Sequence, residues 1–365
     1  MKISIIGIGK LGLCLSLNLE NSGYEVLGMD VSETYVKSLQ DKTFNSSEPQ
    51  VNELLRNSKN VKFSTNLEEA LENDVIFIVV NTPSTSDWKY DHTNIDKVIN
   101  NILSFGKKDR RKDLIINCTT FPGYCKSLNE KTNLYNYFIS YNPEFIAQGT
   151  IVKDQLYCDS VLIGAYDSYA ENLIEDIYKK MCKSSPIVNK VSPTEAELIK
   201  LAVNCFLTTK ISYANMIGDI ALKLGCDPKN VLSAVGSDSR IGNKYLKHGF
   251  GFGGPCFPRD NRALAKCAEE VGIDAVISKS TDIMNERHLD YQIEEFIKNN
   301  KDKSIPVNID HVTYKAGTVI LEESQQLKFS IKLAEIGYSV IINDSKEVIE
   351  QLKKLYGNKF TYNIK

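Results

Sequence analysis

The sequence predicts an α/β protein in three parts: a Rossmann-type doubly wound sheet, a helical middle domain on a long connecting helix, and a short α/β C-terminal domain. Three observations carry this. Short apolar runs alternate with helical patterns through the first 190 residues. A glycine-rich turn, Gly7-Ile8-Gly9-Lys10-Leu11-Gly12, separates the first run from the first helical pattern. After Ser192-Pro193-Thr194-Glu195, which reads as an N-cap followed by proline in the first turn, only Gly218 interrupts a helical stretch reaching Leu224. The expected domains are 1–192, 193–299 and 300–365.

Lys2–Ile6 is the first strand, and Leu13, Leu15, Leu17 and Leu19 mark the helix after it. A second strand, Glu25–Met29, ends at Asp30. A lone Gly-x-Gly-x-x-Gly is weak evidence, since ordinary βαβ units also turn on glycine. Here it follows a strand, opens a helix and meets an acidic residue 18 positions after its last glycine, which completes the dinucleotide fingerprint. The glycines let a pyrophosphate reach the helix N-terminus. The Asp30 carboxylate would accept from ribose hydroxyls and repel a 2′-phosphate, so NAD is expected over NADP.

Further strands end in polar turns: Val75–Val80 in Asn81-Thr82-Pro83-Ser84, and Leu114–Asn117 in Cys118-Thr119-Thr120-Phe121. Phe138–Tyr141 ends in Asn142-Pro143-Glu144-Phe145, and Ser160–Ile163 in Gly164. Each is explicable as turn chemistry. Together on one sheet edge they are expected to form the site.

On the long helix, Lys200 and Asn204 are four apart and share a face, a pairing suited to polarising an oxygen. Helical sets follow at Pro228–Val235, Lys266–Glu270 and Ile283–Lys298. Between them lies Phe250-Gly251-Phe252-Gly253-Gly254-Pro255-Cys256-Phe257-Pro258-Arg259-Asp260, where glycine and proline frame one cysteine. Two readings stay open: a nucleophile with Asp260 one helical turn away, or a buried packing cysteine. After the polar stretch Asn299–Ser304, strands at Ile305–Ile309 and Ser339–Asn343 flank a helix at Gln325–Ile336.

Composition excludes several classes. A net charge of −2 gives no reason to expect nucleic acid or an anionic membrane as partner. The basic run Lys107–Lys112 reads as a solvated loop. Apolar runs of strand length are too short to span a bilayer. Nine cysteines without a Cys-x-x-Cys pair argue for a reducing compartment and against a disulfide framework or structural zinc. With a strand at once after Met1 and no signal peptide expected, a cytoplasmic protein without a metal is the expectation.

The fingerprint, Asn142-Pro143-Glu144-Phe145, the Lys200/Asn204 helix and Gly253–Asp260 together resemble the UDP-glucose/GDP-mannose 6-dehydrogenase family, with the eukaryotic-type UDP-glucose dehydrogenases the nearest branch. The resemblance covers residues 1–290 and, more weakly, continues to 345. It implies a homodimer or higher oligomer and a two-step, NAD-dependent oxidation of a nucleotide-sugar C6 alcohol, UDP-glucose foremost, to the uronic acid. Cys256 would form the thiohemiacetal and thioester. Lys200 and Asn204 would stabilise the oxyanion, Asp260 and Thr120 would hold or activate water, and Glu144 would serve hydrolysis. The cofactor positions it implies are Gly7, Gly9, Lys10, Leu11, Gly12, Asp30, Tyr35, Val80, Asn81, Thr82, Pro83, Thr119, Thr120, Gln148, Arg259 and Glu322. The substrate positions are Glu144, Phe145, Ile146, Lys200, Asn204, Arg240, Lys247, Phe252, Gly253, Tyr314 and Lys315. The chain departs from the pattern at Gln148, where the family carries Glu, and at Glu322, where it carries Arg. Asp310-His311 replaces a glycine after the first strand of the last domain. These departures bear on NAD affinity and on the last domain. Two alternatives compete: a single-step β-hydroxyacid dehydrogenase, which has no use for Cys256, and a non-catalytic nucleotide-sugar- or NAD-binding homologue.

Overall fold

The computed structural model describes residues 1–365 and divides into two compact units, Met1–Lys200 and Leu201–Lys365. The first holds an eight-stranded sheet: β1 (Lys2–Ile6), β2 (Glu25–Met29), β3 (Val61–Ser64), β4 (Val75–Ile78), β5 (Lys112–Ile116), β6 (Tyr137–Tyr141), β7 (Ser160–Gly164) and β8 (Ile187–Val191). Their order is β3-β2-β1-β4-β5-β6-β7-β8. The first six strands are parallel in doubly wound order, with the topological switch between β1 and β4.

The strands are apolar at nearly every position because both faces are covered. Ile3, Ile5, Val75 and Phe77 pack on one side with Leu13 and Leu17 of the helix Lys10–Asn21. Ile6, Ile76, Ile78, Leu114 and Ile116 pack on the other with Ile95, Ile99 and Ile102 of the helix Thr93–Ser104. Phe77 is fully buried, so Phe77→Ala would cost about 3–5 kcal/mol.

The strand β7 departs from the expectation. It meets β6 in one antiparallel pair, Tyr141 with Gly164, so its end does not extend the parallel row of strand ends. Gly164 instead makes room for the start of the long helix: a Cβ there would lie 2.8 Å from Ala196 Cβ. The basic run is corrected too. Lys112 is buried in β5, its Nζ donating to the carbonyls of Glu72 and Asn73 and to Asp74. Arg111 pairs with Asp113 and Asp167, its guanidinium 4.4 Å from the Phe138 ring and 4.6 Å from that of Tyr169. Only the front of the run is a solvated loop.

The long helix, Pro193–Lys223, begins with a reciprocal cap: the Ser192 N–H donates to the Glu195 carboxylate and the Glu195 N–H to Ser192 Oγ. It runs across the division between the units. In the second unit follow the helices Pro228–Gly236, Phe257–Glu270 and Val276–Asn299, then a three-stranded parallel sheet ordered β11-β10-β9. Its strands are β9 (Val307–Asp310), β10 (Val340–Asp344) and β11 (Thr361–Ile364). Leu289 and Ile293 of the helix Val276–Asn299 share a core with Phe329, Leu333, Val340, Ile342 and Leu352. The middle stretch and the last sheet thus belong to one unit.

Candidate active site

In the first unit the glycine turn sits at the switch point. Gly7 has φ +92°, and a Cβ on Gly12 would lie 2.1 Å from the Gly7 carbonyl oxygen. Gly9 is different: a Cβ there would meet nothing within 4 Å. It caps the helix Lys10–Asn21 without a side-chain hydrogen bond, and the space in front of it is open. That is the cradle a pyrophosphate needs. Asp30, at the end of β2, accepts from the Ser32 N–H, and the Tyr35 hydroxyl donates to the Ile8 carbonyl at 2.7 Å, bracing the turn. Val80, Asn81, Thr82 and Pro83 follow β4, the neighbour of β1. Lys10, the first helical residue, reaches Gln148 Oε1 at 3.3 Å. The residues fit NAD.

Beyond β5 and β6 the site residues gather around two carboxylates. Burial pushes the Glu144 carboxyl up to about 7, with the Lys200 charge and a hydrogen bond from Tyr178 partly offsetting it. The Lys200 Nζ donates to the Glu144 carbonyl at 2.5 Å and lies 4.6 Å from the Phe145 ring centroid. The second carboxylate, Glu197, was not visible in the sequence pattern. It is fully buried and accepts from Thr120 Oγ1 at 2.8 Å and from the N–H groups of Gly123 and Cys125. Burial raises its pKa against those donors. The available signal was a Glu three positions before Lys200 on an otherwise apolar helix. Glu48 was also missed: buried, it accepts from the Gly149 and Ile151 N–H groups and so shapes the loop of Ile146 and Gln148.

In the second unit Cys256 is exposed at the N-terminus of the helix Phe257–Glu270. The packing-cysteine reading required burial, which this residue lacks. The expected turn forms, with the Asp260 N–H donating to the Cys256 carbonyl at 2.8 Å. Asp260 is fully buried and accepts from Asn204 Nδ2 at 2.6 Å and from Arg259 Nε at 3.1 Å. The glycines before the cysteine are pinned from far along the chain. The Gly254 N–H donates to the Glu322 carbonyl, and a Cβ on Gly254 would strike the Tyr314 ring at 2.5 Å. Asn285 bonds both backbone groups of Phe252, a clamp the sequence did not signal. Phe252, Gly253, Tyr314 and Glu322 are therefore one cluster, with the Glu322 side chain exposed. Arg240 is exposed and paired with Asp238; Lys247 and Lys315 are also exposed.

Residues 1–182 match the NAD binding domain of the UDP-glucose/GDP-mannose dehydrogenase family, and residues 194–287 match its central domain. The UDP-glucose 6-dehydrogenase of Rickettsia conorii is 32% identical over 332 residues, covering 87% of this chain and 74% of that protein. The chain belongs to the UDP-glucose/GDP-mannose dehydrogenase family. The GDP-mannose 6-dehydrogenase of Pseudomonas aeruginosa is 29% identical over 94% of this chain and 81% of its own. Among solved structures, a UDP-glucose dehydrogenase from Pyrobaculum islandicum superposes with a TM-score of 0.90 at 29% identity, covering 100% of this chain and 86% of that one. The family's NAD domain thus contains the cradle at Gly9, and its central domain contains Cys256, Asn204 and Asp260. No helix is long and apolar enough to cross a membrane.

Proposed function

We propose that this chain oxidises the C6 alcohol of a nucleotide sugar, UDP-glucose first among the candidates, to the uronic acid. The observation that carries the reading is the exposed Cys256 at a helix N-terminus, one turn from the Asp260–Asn204 pair, in a chain of this family. NAD, when bound, supplies the hydride acceptor for both oxidations.

Lys200 and Asn204 would hold the C6 oxygen while negative charge develops on it. The Cys256 sulfur would bond to the aldehyde carbon as its S–H bond breaks, and the carbonyl oxygen would take that proton to complete the thiohemiacetal. The aldehyde could not then escape, and oxidation of this adduct leaves a thioester. Water would attack the thioester carbon, and one of its protons would pass by way of a carboxylate to the departing sulfur as the C–S bond breaks, which restores the thiol. A carboxyl near 7 suits Glu144 to that transfer at neutral pH. The Thr120 hydroxyl, with its hydrogen committed to Glu197, offers lone pairs to the water.

A homo-oligomer and a cytoplasmic location belong to the same reading. Phe206, Tyr213 and Ile220 recur every seven residues on the long helix and are 66%, 48% and 49% exposed, a stripe suited to a second copy. The odd number of cysteines suits a reducing compartment. The test is a panel of nucleotide sugars assayed for NADH and acid product. Two NADH per sugar with one substrate, and acid formation abolished by Cys256→Ala, is the expected result. One NADH per alcohol with activity retained in Cys256→Ala would establish single-step chemistry instead.

A further inference from the structure

Outside that machinery, three side chains of the second unit converge from separate elements. Asp219 lies on the long helix, His248 on the segment entering the glycine loop, and His288 on the helix Val276–Asn299. Asp219 engages both oxygens: Oδ1 is 2.9 Å from His248 Nε2, and Oδ2 is 2.8 Å from His288 Nδ1. The other His288 nitrogen, Nε2, lies 2.6 Å from the Gly249 carbonyl. A carbonyl only accepts, so Nε2 carries a hydrogen, and Nδ1 meets the carboxylate either with its lone pair or with a second hydrogen. Lone pair against carboxylate is repulsive unless a cation stands between them. That cation is a second ring proton, or a metal ion that draws the two atoms apart from their 2.8 Å separation.

Several features favour the metal. A backbone carbonyl that fixes the tautomer is the usual support of a metal-ligating histidine. Two imidazole nitrogens and a carboxylate oxygen are a zinc-type donor set with a fourth position left for water. All three ligand atoms lie within 4.8 Å of one another. Around them, Asn215 Nδ2, Tyr291 Oη and Gln292 Oε1 are buried without a hydrogen-bond partner. Asn215 is one turn before Asp219, and Tyr291 and Gln292 are three and four residues after His288, so they share the faces that carry the ligands. A metal-bound water supplies the kind of partner these groups need. Room for the His248 ring comes from Gly218 in mid-helix, where a Cβ would lie 2.2 Å from His248 Cδ2. Glycine is disfavoured at such a position unless packing demands it.

We propose that Asp219, His248 and His288 bind one divalent transition-metal ion of the zinc class, with water in the fourth position. Through the His288 bond to Gly249, the ion anchors the start of the loop that ends at Cys256. The site stands whether or not the oxidation proposed above is correct.

The full chain, stripped by chelator and dialysed, would be titrated with zinc sulfate, and cobalt chloride would serve as the spectroscopic probe. One zinc per chain is expected, with a four-coordinate cobalt spectrum lacking a thiolate charge-transfer band. His248→Ala and, independently, Gly218→Ala should weaken zinc binding by at least about tenfold, while Cys256→Ala retains it. His248 is partly exposed and Gly218→Ala leaves all three ligands in place, so either variant keeps the test informative if His288→Gln does not fold. Absence of zinc binding, equal affinity in His248→Ala and Gly218→Ala, a thiolate band, or loss of zinc in Cys256→Ala would each overturn the proposal.

Discussion

The molecule has two glycine loops, and they use glycine differently. In the turn from Gly7 to Gly12 one tight contact is local, Gly12 against the Gly7 carbonyl, one is with the Val79 carbonyl just past β4, and the middle glycine is left open. In the loop before Cys256 the contacts come from Asn285, Tyr314 and Glu323, 30 to 70 residues onward in sequence. The first loop is a cradle packed tightly at both ends and open at Gly9. The second is a bracket held from outside so that one sulfur stays exposed. The same residue type therefore serves ligand approach in one place and chain-to-chain approach in the other.

The largest break should come in the second loop. Gly254 has φ +81° and lies against the Tyr314 ring, so Gly254→Ala adds backbone strain to a clash. A loss of about 3 kcal/mol or more is expected, with turnover lost alongside. Thermal melting and NADH formation check it, and a Tyr314→Ala background should recover the clash component but not the strain. Unchanged melting would mean that the loop is not bracketed.

The first loop divides cleanly into two variants. Gly12→Ala should cost about 1–3 kcal/mol because its Cβ meets backbone. Gly9→Ala should leave stability within about 0.5 kcal/mol while weakening NAD, since its Cβ enters only open space. Calorimetry with and without NAD separates these effects. Equal loss of stability in both would remove the distinction between cradle and bracket.

The carboxylates sharpen the comparison through pH. Glu144 holds its proton up to about 7. Its base form is lost as pH falls below that point, so hydrolysis limited by Glu144 should drop about tenfold per pH unit. Stability runs oppositely: the folded chain binds this proton more tightly, so the contribution is full at low pH and lost as pH rises through about 7. Glu144→Gln should flatten both profiles, which rate and denaturant measurements across pH will show. The smallest effect is expected at Glu322. If it faces NAD, Glu322→Arg should tighten binding a few-fold at low salt and lose the gain at high salt. An identical dissociation constant would make its side chain bystander surface, with only its carbonyl serving Gly254.

The sequence was most readable where partners are close along the chain. The fingerprint, the Ser192–Glu195 cap and the turn from Cys256 to Asp260 each depend on residues at most a strand and a helix apart. Edge strands were less readable: β8 and β11 expose most of their side chains and show no apolar alternation. The helix Val276–Asn299 begins a full two turns before its visible pattern because its early buried positions are Ser278 and Thr281. Least readable were Glu197, Asn285 and the Asp219–His248–His288 cluster. Their roles come from contacts between elements far apart in sequence, and no spacing rule carries such information.

The shared core of Leu289, Ile293, Phe329 and Leu352 has a consequence for the nascent chain. As it leaves the ribosome, the helix Val276–Asn299 emerges with that face uncovered, and its cover is not complete until residues past Leu352 have followed. Some 60 residues of synthesis, at about 5–20 residues per second, leave an apolar stripe in water for several seconds. Any pause in translation within that span would lengthen the exposure, so the codons between 300 and 352 bear on yield even where the amino acids they specify are exposed.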